Sequence, residues 1–201
     1  RDVILDELHA VLDSPADAIF DEFEERLFAG HSLGGNILGT KESVSSMNRE
    51  VLKGFVQRHY QTEQMVFSAV GATPWKKVHR LCEKYFGSLS AGTAKLNRQP
   101  VVALPQFDVR EAKDIHQVHH VMGTVTRGSD HADRLGLALL ANHLGGPTMN
   151  NRLSLNVRER HGMAYNIECA YSPYSDVGTF SIYFGTDQRL HARAEKLVLK
   201  E

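Results

Sequence analysis

Apolar residues change their period along this chain, and that change limits the folds open to it. Ile4, Leu8 and Val11 recur at helical spacing, as do Ile19, Phe20, Phe23 and Leu27. Val51, Leu52, Phe55 and Val56 repeat the pattern, and so do Val78, Leu81, Cys82 and Tyr85. Between and after these stretches the period shortens toward two. Residues 65–70, 115–124, 164–171 and 179–185 are rich in β-branched and aromatic side chains and predict strands. Pro173 and Gly178 punctuate the last two and predict a hairpin turn. Ser14-Pro15 predicts a helix start with a hydroxyl cap, and Pro74 opens another. A single helix is expected over 46–60. Helices are also expected over 131–144, stopped by Gly145-Gly146-Pro147, over 150–160, and from Leu190 onward. Helices and paired strands in both halves predict an α+β architecture.

Residues 29–40 hold four of the 16 glycines and read as a loop, and residues 87–106 lose periodicity and read as a linker. At 201 residues the chain has room for one large domain or two small ones. It opens on Arg-Asp-Val-Ile-Leu in mid-pattern, which reads as a piece of a longer protein. Lys plus Arg number 23 against 24 Asp plus Glu, a formal charge of −1, so no positive field exists to hold a nucleic-acid backbone. No apolar run approaches the ~18 residues of a membrane span. Two cysteines, Cys82 and Cys169, are too few for a disulfide scaffold or a cysteine zinc site and read as buried free thiols.

Eleven histidines invite a metal reading, which spacing opposes. In HQVHH, His116 and His120 share one face of a strand but stand about 13 Å apart. Zinc–nitrogen bonds are about 2 Å, so the two cannot close on one ion. His119 faces the other way. The chain holds neither H-E-x-x-H nor H-x-x-E-H. Three other residues carry chemistry. Glu7 sits at the edge of an apolar helical stripe, where a carboxylate needs a partner, a metal or water. Arg158 and Tyr165 bracket VRERHGMAY, in which Gly162 stops a helix and the chain enters a strand. A guanidinium and a phenol at one junction are good donors to a carbonyl or an oxyanion. The same two residues would equally serve as a salt bridge and a core tyrosine.

Several motifs occur together in order: VILDELHAVLDSPADAIFDEFEERLFAGHSLGGNILGTKESV, LKGFVQRHYQTEQMVFSAVG, VHRLCEKYFGSL and ANHLGGPTMNNRLSLNVRERHGMAYNIECAYSPYSDVGTFSIYFGT. On these the chain resembles the pitrilysin/insulinase family of zinc metallopeptidases, in the mitochondrial-processing-peptidase-like branch. The resemblance implies tandem homologous α+β domains, each a mainly antiparallel sheet with helices on one side. Residues 1–98 would be the back of a first, zinc-binding domain, 99–108 a linker, and 109–201 the front of a second. It implies Zn2+ in the parent protein, with Glu7 as the later of its ligands. The inverted H-x-x-E-H motif and the general base would lie upstream of Arg1. Arg158 and Tyr165 would reach the substrate backbone or the tetrahedral oxyanion. The chemistry this resemblance implies is a zinc that would polarise the scissile carbonyl and acidify a bound water, with an upstream glutamate to take the proton.

The implied substrate is a peptide or unfolded segment, bound by strand addition. The implied partner is a second copy or a paralogous subunit. The alternative within the family is a non-catalytic paralogue that scaffolds an active subunit. By itself the chain is expected to lack peptidase activity and a tight zinc site. The compartment stays open among bacterial cytoplasm, periplasm and an organelle matrix.

Overall fold

In the computed structural model, residues 1–89, 91–92, 98–102 and 106–201 are described. The middle of the expected linker (99–108) therefore lies outside the described residues. The chain divides into two compact units, one of residues 41–98 with Arg1, the other of residues 2–40 with 99–201. No helix among the described residues is long and apolar enough to cross a membrane.

The unit of residues 41–98 is helical. The helix expected over 46–60 forms as two pieces, α3 (Lys41–Ser46) and α4 (Arg49–His59). Asn48 separates them. Its side-chain oxygen accepts from the Val51 amide at 2.9 Å, which supplies α4 with a cap and gives the chain a fresh start. Helix α5 (Trp75–Phe86) begins after Pro74, as expected. The strand expected over 65–70 does not form. A strand needs a neighbour for its backbone groups, and the described residues of this unit contain no other strand. The inward faces expected on α4 are likewise uncovered: Val51, Leu52, Phe55 and Val56 are all exposed.

The larger unit holds α1 (Asp2–Leu12), α2 (Pro15–Leu27), strand β1 (Val118–Arg127), α6 (Arg134–Gly145), a π-helical segment (Ser154–Arg160), β2 (Asn166–Pro173), β3 (Val177–Thr186) and α7 (His191–Lys200). Pro15 stands at the start of α2, although the Ser14 hydroxyl makes no capping bond. The three strands form one antiparallel sheet in the order β1-β3-β2. The expected hairpin is β2–β3, closed by the Tyr174 amide donating to the Val177 carbonyl at 2.8 Å.

Register fixes what each face carries. On one face, Ile167 and Cys169 of β2 and Phe184 of β3 pack with Ala141, Leu153, Val157, Ala194 and Val198. Leu153, Val157 and Phe184 are fully buried there. On the other face, Phe23, Leu27 and Phe28 of α2 and its end pack with Val121, Val125 and Val177. The sheet is thus covered by α6, the π segment and α7 on one side and by α2 on the other. Burying apolar side chains on both faces at roughly 25 cal/mol per Å² is the main force holding this unit together.

Candidate functional site

A cleft of about 280 Å3 opens beside the outer strand β2. Its walls are the Gly145–Met149 loop at the end of α6, Asn151, Ser154 and Arg158 of the following segment, and residues 167–169 of β2. The loop is held in shape by Asn151, which is buried. Its side-chain nitrogen donates to the Gly146 and Thr148 carbonyls, each at 2.7 Å, while its oxygen accepts from the Ser154 amide at 2.7 Å. Both its amide hydrogens and its oxygen bond to the backbone, so it stiffens the wall. The close approach of α6 to β2 depends on Gly145. A Cβ there would fall on the Cys169 backbone nitrogen and lie 2.9 Å from the Glu168 carbonyl carbon.

Arg158 lies on the π segment, a winding that recurs at functional sites. Its Nε donates to Glu159 Oε1 at 2.9 Å. Its Nη2 is shielded from solvent and has no hydrogen-bond partner, the one such buried side-chain atom among the described residues. An unpaired buried donor costs about 1–3 kcal/mol, more for a charged group. Glu168, the other charged residue along the cleft, does not offset it. The residues flanking Glu168 face the core beneath α6. Glu168 itself pairs across the sheet with Tyr183, whose ring packs on Phe20 of α2 on the opposite face. Cys169 also borders the cleft; burial pushes its thiol up to about 12, so it is no nucleophile.

Tyr165 follows the turn made by Gly162, whose φ of +59° suits glycine. Gly162 therefore stops the helix as its position in the sequence suggests. The phenol is exposed and donates to Asp187 Oδ2 at 3.2 Å. The Asp187 charge, then this hydrogen bond, raises its pKa above the ordinary 10.0, which keeps it a donor. Arg158 and Tyr165 thus share one helix–strand junction but are turned to different partners, and Tyr165 does not line the cleft.

Glu7 is exposed on α1. Among the described residues, no group of three or more His, Cys, Asp or Glu could hold a metal ion. Glu7 has the donor chemistry of a zinc ligand, but a catalytic zinc takes three protein ligands plus water. The residues present therefore do not fit a complete site. The histidines are engaged otherwise. His116 precedes β1, His119 Nδ1 bonds to the Tyr183 hydroxyl at 2.9 Å, and His120 Nδ1 meets His191 Nε2 at 2.7 Å. The sequence pointed to Arg158 and Tyr165 but not to Gly145 or Asn151. An asparagine three residues before an amide it caps is the one signal that could have found the latter.

Comparison with known proteins places this geometry. A family profile described as the peptidase M16 inactive domain matches residues 46–201, more than half of the chain. The chain belongs to this family. The match agrees with the pitrilysin resemblance carried by the motifs. Relatives include a protein of Mycobacterium leprae named an uncharacterized zinc protease, 34% identical over 193 residues, covering 91% of this chain and 42% of that protein. One of Bacillus subtilis with the same kind of name is 31% identical over 189 residues, covering 92% and 45%. The chain spans less than half the length of these relatives. Among solved structures, a peptidase M16 inactive domain from Pseudomonas fluorescens superposes with a TM-score of 0.80 at 21% identity, covering 98% of this chain and 48% of that one. A protease from Helicobacter pylori gives 0.79 at 21% identity, covering 98% and 50%. These two share the α+β fold described above.

Proposed function

We propose that this chain is the substrate-holding segment of a zinc-dependent endopeptidase that cleaves peptides or unfolded protein segments. The Arg158 guanidinium, paired to Glu159 through Nε but with Nη2 left without a partner, beside an outer strand, is the observation that carries this reading. An outer strand presents backbone donors and acceptors to which an extended peptide can add. Arg158 meets the peptide at that edge, and the exposed phenol of Tyr165 at the same junction supplies a second donor when its proton leaves Asp187. Glu7, exposed on α1, serves as one zinc ligand in the whole protein. The relatives' names as zinc proteases support the reaction class.

The test uses the full-length protein. Arg158→Ala is expected to lower peptide turnover by roughly tenfold or more while zinc content stays constant. Glu7→Gln is expected to lose zinc and turnover together. Undiminished turnover in Arg158→Ala removes Arg158 from the reaction. Full zinc in Glu7→Gln removes Glu7 from the metal. A full-length protein with neither zinc nor turnover makes the chain part of a partner subunit.

A further inference from the structure

Tyr165 and Asp187 issue from two backbone segments that the fold ties together. The Tyr165 amide donates to the Gly185 carbonyl at 2.8 Å, and the buried Thr186 hydroxyl donates to the Met163 carbonyl at 2.6 Å. The Asp187 carbonyl accepts from the Leu190 and His191 amides at 2.9 and 3.1 Å, which fixes the turn into α7. The contact of the phenol with Asp187 Oδ2 at 3.2 Å closes a frame already set by the backbone. An ionised carboxylate only accepts, and a phenol has one proton. That proton is spent on Asp187. The Asp187 charge, then the hydrogen bond, keep it on the phenol by raising its pKa above 10.0. What the exposed phenol oxygen has left is its lone pairs, and donation to an anion makes them better acceptors. Tyr165 directly precedes β2, whose outer edge carries no strand among the described residues. An extended peptide laid along that edge presents N–H and C=O groups in turn. A guanidinium only donates, so Arg158 suits the C=O groups alone, and the N–H groups need an acceptor.

We propose that Asp187 is a positioning residue that commits the Tyr165 proton and so makes the phenol oxygen an acceptor for one backbone N–H of the bound peptide. This rests on the reading of Tyr165 as a substrate contact and assigns the direction of that contact at the binding step, before any proton leaves Asp187. Arg158 and Tyr165 then read the two halves of the peptide unit. A residue without an N–H, proline above all, is disfavoured at that position.

The test titrates the isotope-labelled chain with a short alanine peptide blocked at both ends. A matching series replaces one amide at a time by an ester, which removes a single N–H. The expected result is one ester that binds about three- to tenfold more weakly than the parent peptide, with the Tyr165 ring resonances shifting on binding. Tyr165→Phe, which keeps the exposed ring, is expected to abolish that difference. Asp187→Asn is expected to shrink it, because the new amide donates to the phenol oxygen in place of the peptide. It is also expected to bring the phenol titration back toward 10.0, which a merely structural role for Asp187 would not do. Equal binding of the parent and every ester overturns the proposal, and needs no variant to fold. An ester difference that survives Tyr165→Phe, or that Asp187→Asn leaves untouched, overturns it as well. If Tyr165→Phe weakens parent and esters by one factor, the proposal falls and Tyr165 remains a substrate contact of another kind. If Tyr165→Phe changes no affinity, or no peptide shifts the Tyr165 resonances, both readings fall.

Discussion

Helix α6 contains two glycines, Gly136 and Gly145, that should respond to the same substitution with opposite sign. A Cβ at Gly136 meets nothing within 4 Å, and the position is exposed. Alanine there removes backbone freedom from the unfolded chain and should stabilise by about 0.5–1 kcal/mol. At Gly145 the added Cβ falls on the Cys169 backbone nitrogen, with Cys169 Cβ at 2.7 Å and the Glu168 carbonyl carbon at 2.9 Å. Neither backbone atom can yield cheaply, because Cys169 and Glu168 are paired to Ile182 and Tyr183 of the central strand. The helix has to lift off the sheet instead, and overpacking of this kind costs about 1–3 kcal/mol. For a chain of this size, each kcal/mol moves Tm by about 2–4 °C. Gly136→Ala should therefore raise Tm by about 1–4 °C and Gly145→Ala lower it by about 2–12 °C. Hydrogen exchange of the β3 amides reads the opening of this unit directly, and its free energy should move in the same directions. Protection in Gly145→Ala equal to or above that of the unmodified chain would refute the close packing of α6 on β2, and with it the geometry of the cleft wall.

Other predictions follow from single contacts. Burial, then the neighbouring His191, hold the His120 pKa below the ordinary 6.5, with Glu195 and Asp108 opposing and Arg110 reinforcing. The unfolded chain then binds more protons just below that value, so stability is full above about pH 6.5 and is lost as pH falls. His120→Gln should shrink the drop in Tm between about pH 7.5 and about pH 5.5, leaving the part due to His119, also lowered by burial. Thr186, buried at the end of β3, donates to the Met163 carbonyl at 2.6 Å. Thr186→Val should cost about 1–3 kcal/mol in urea denaturation by leaving that carbonyl unpaired. Asn151→Ala frees the Gly146 carbonyl and the Ser154 amide and leaves the Thr148 carbonyl only the residue-151 backbone amide. It should lower stability and broaden the amide resonances of 145–149, and sharp, unshifted resonances there would remove Asn151 as the loop's anchor.

How far the sequence foretold this depends on whether a residue's partners are near it in the chain. The β2–β3 hairpin was legible because Gly162, Pro173 and Gly178 bracket it locally. Strand β1 was expected over 115–124 and runs Val118–Arg127, because its ends are set by β3, where Val118 meets Thr186 and Arg127 meets Val177. That partner lies some sixty residues away. Residues 65–70 have every local mark of a strand and no neighbour among the described residues of their unit, so composition alone misled. At the site, the spacing of VRERHGMAY put Arg158 and Tyr165 at one junction, and Gly162 made that inference local. Their divergence was not legible, since Asp187 turns Tyr165 from 22 residues downstream. The need for glycine at 145 was hidden for the same reason, because the atoms that forbid a Cβ belong to β2.

The uneven distribution of satisfied groups locates the work this segment can do. Several of its polar side chains are spent on the fold: Asn151 on the loop beside the cleft, and farther off Thr186 on the Met163 carbonyl and His119 and His120 on Tyr183 and His191. Arg158 is the exception, and it has a shielded nitrogen that the fold leaves unpaired. A packed unit keeps such a group only if the cost is carried by burial elsewhere, here by the two covered faces of the sheet. Glu7 is also unspent, but it lies on the surface, where water solvates it at little cost. The two therefore differ as evidence. An exposed carboxylate is compatible with any role or none, whereas a shielded guanidinium nitrogen without a partner is a cost the fold carries. On this ground binding, rather than bond-breaking, is the chemistry these residues can supply.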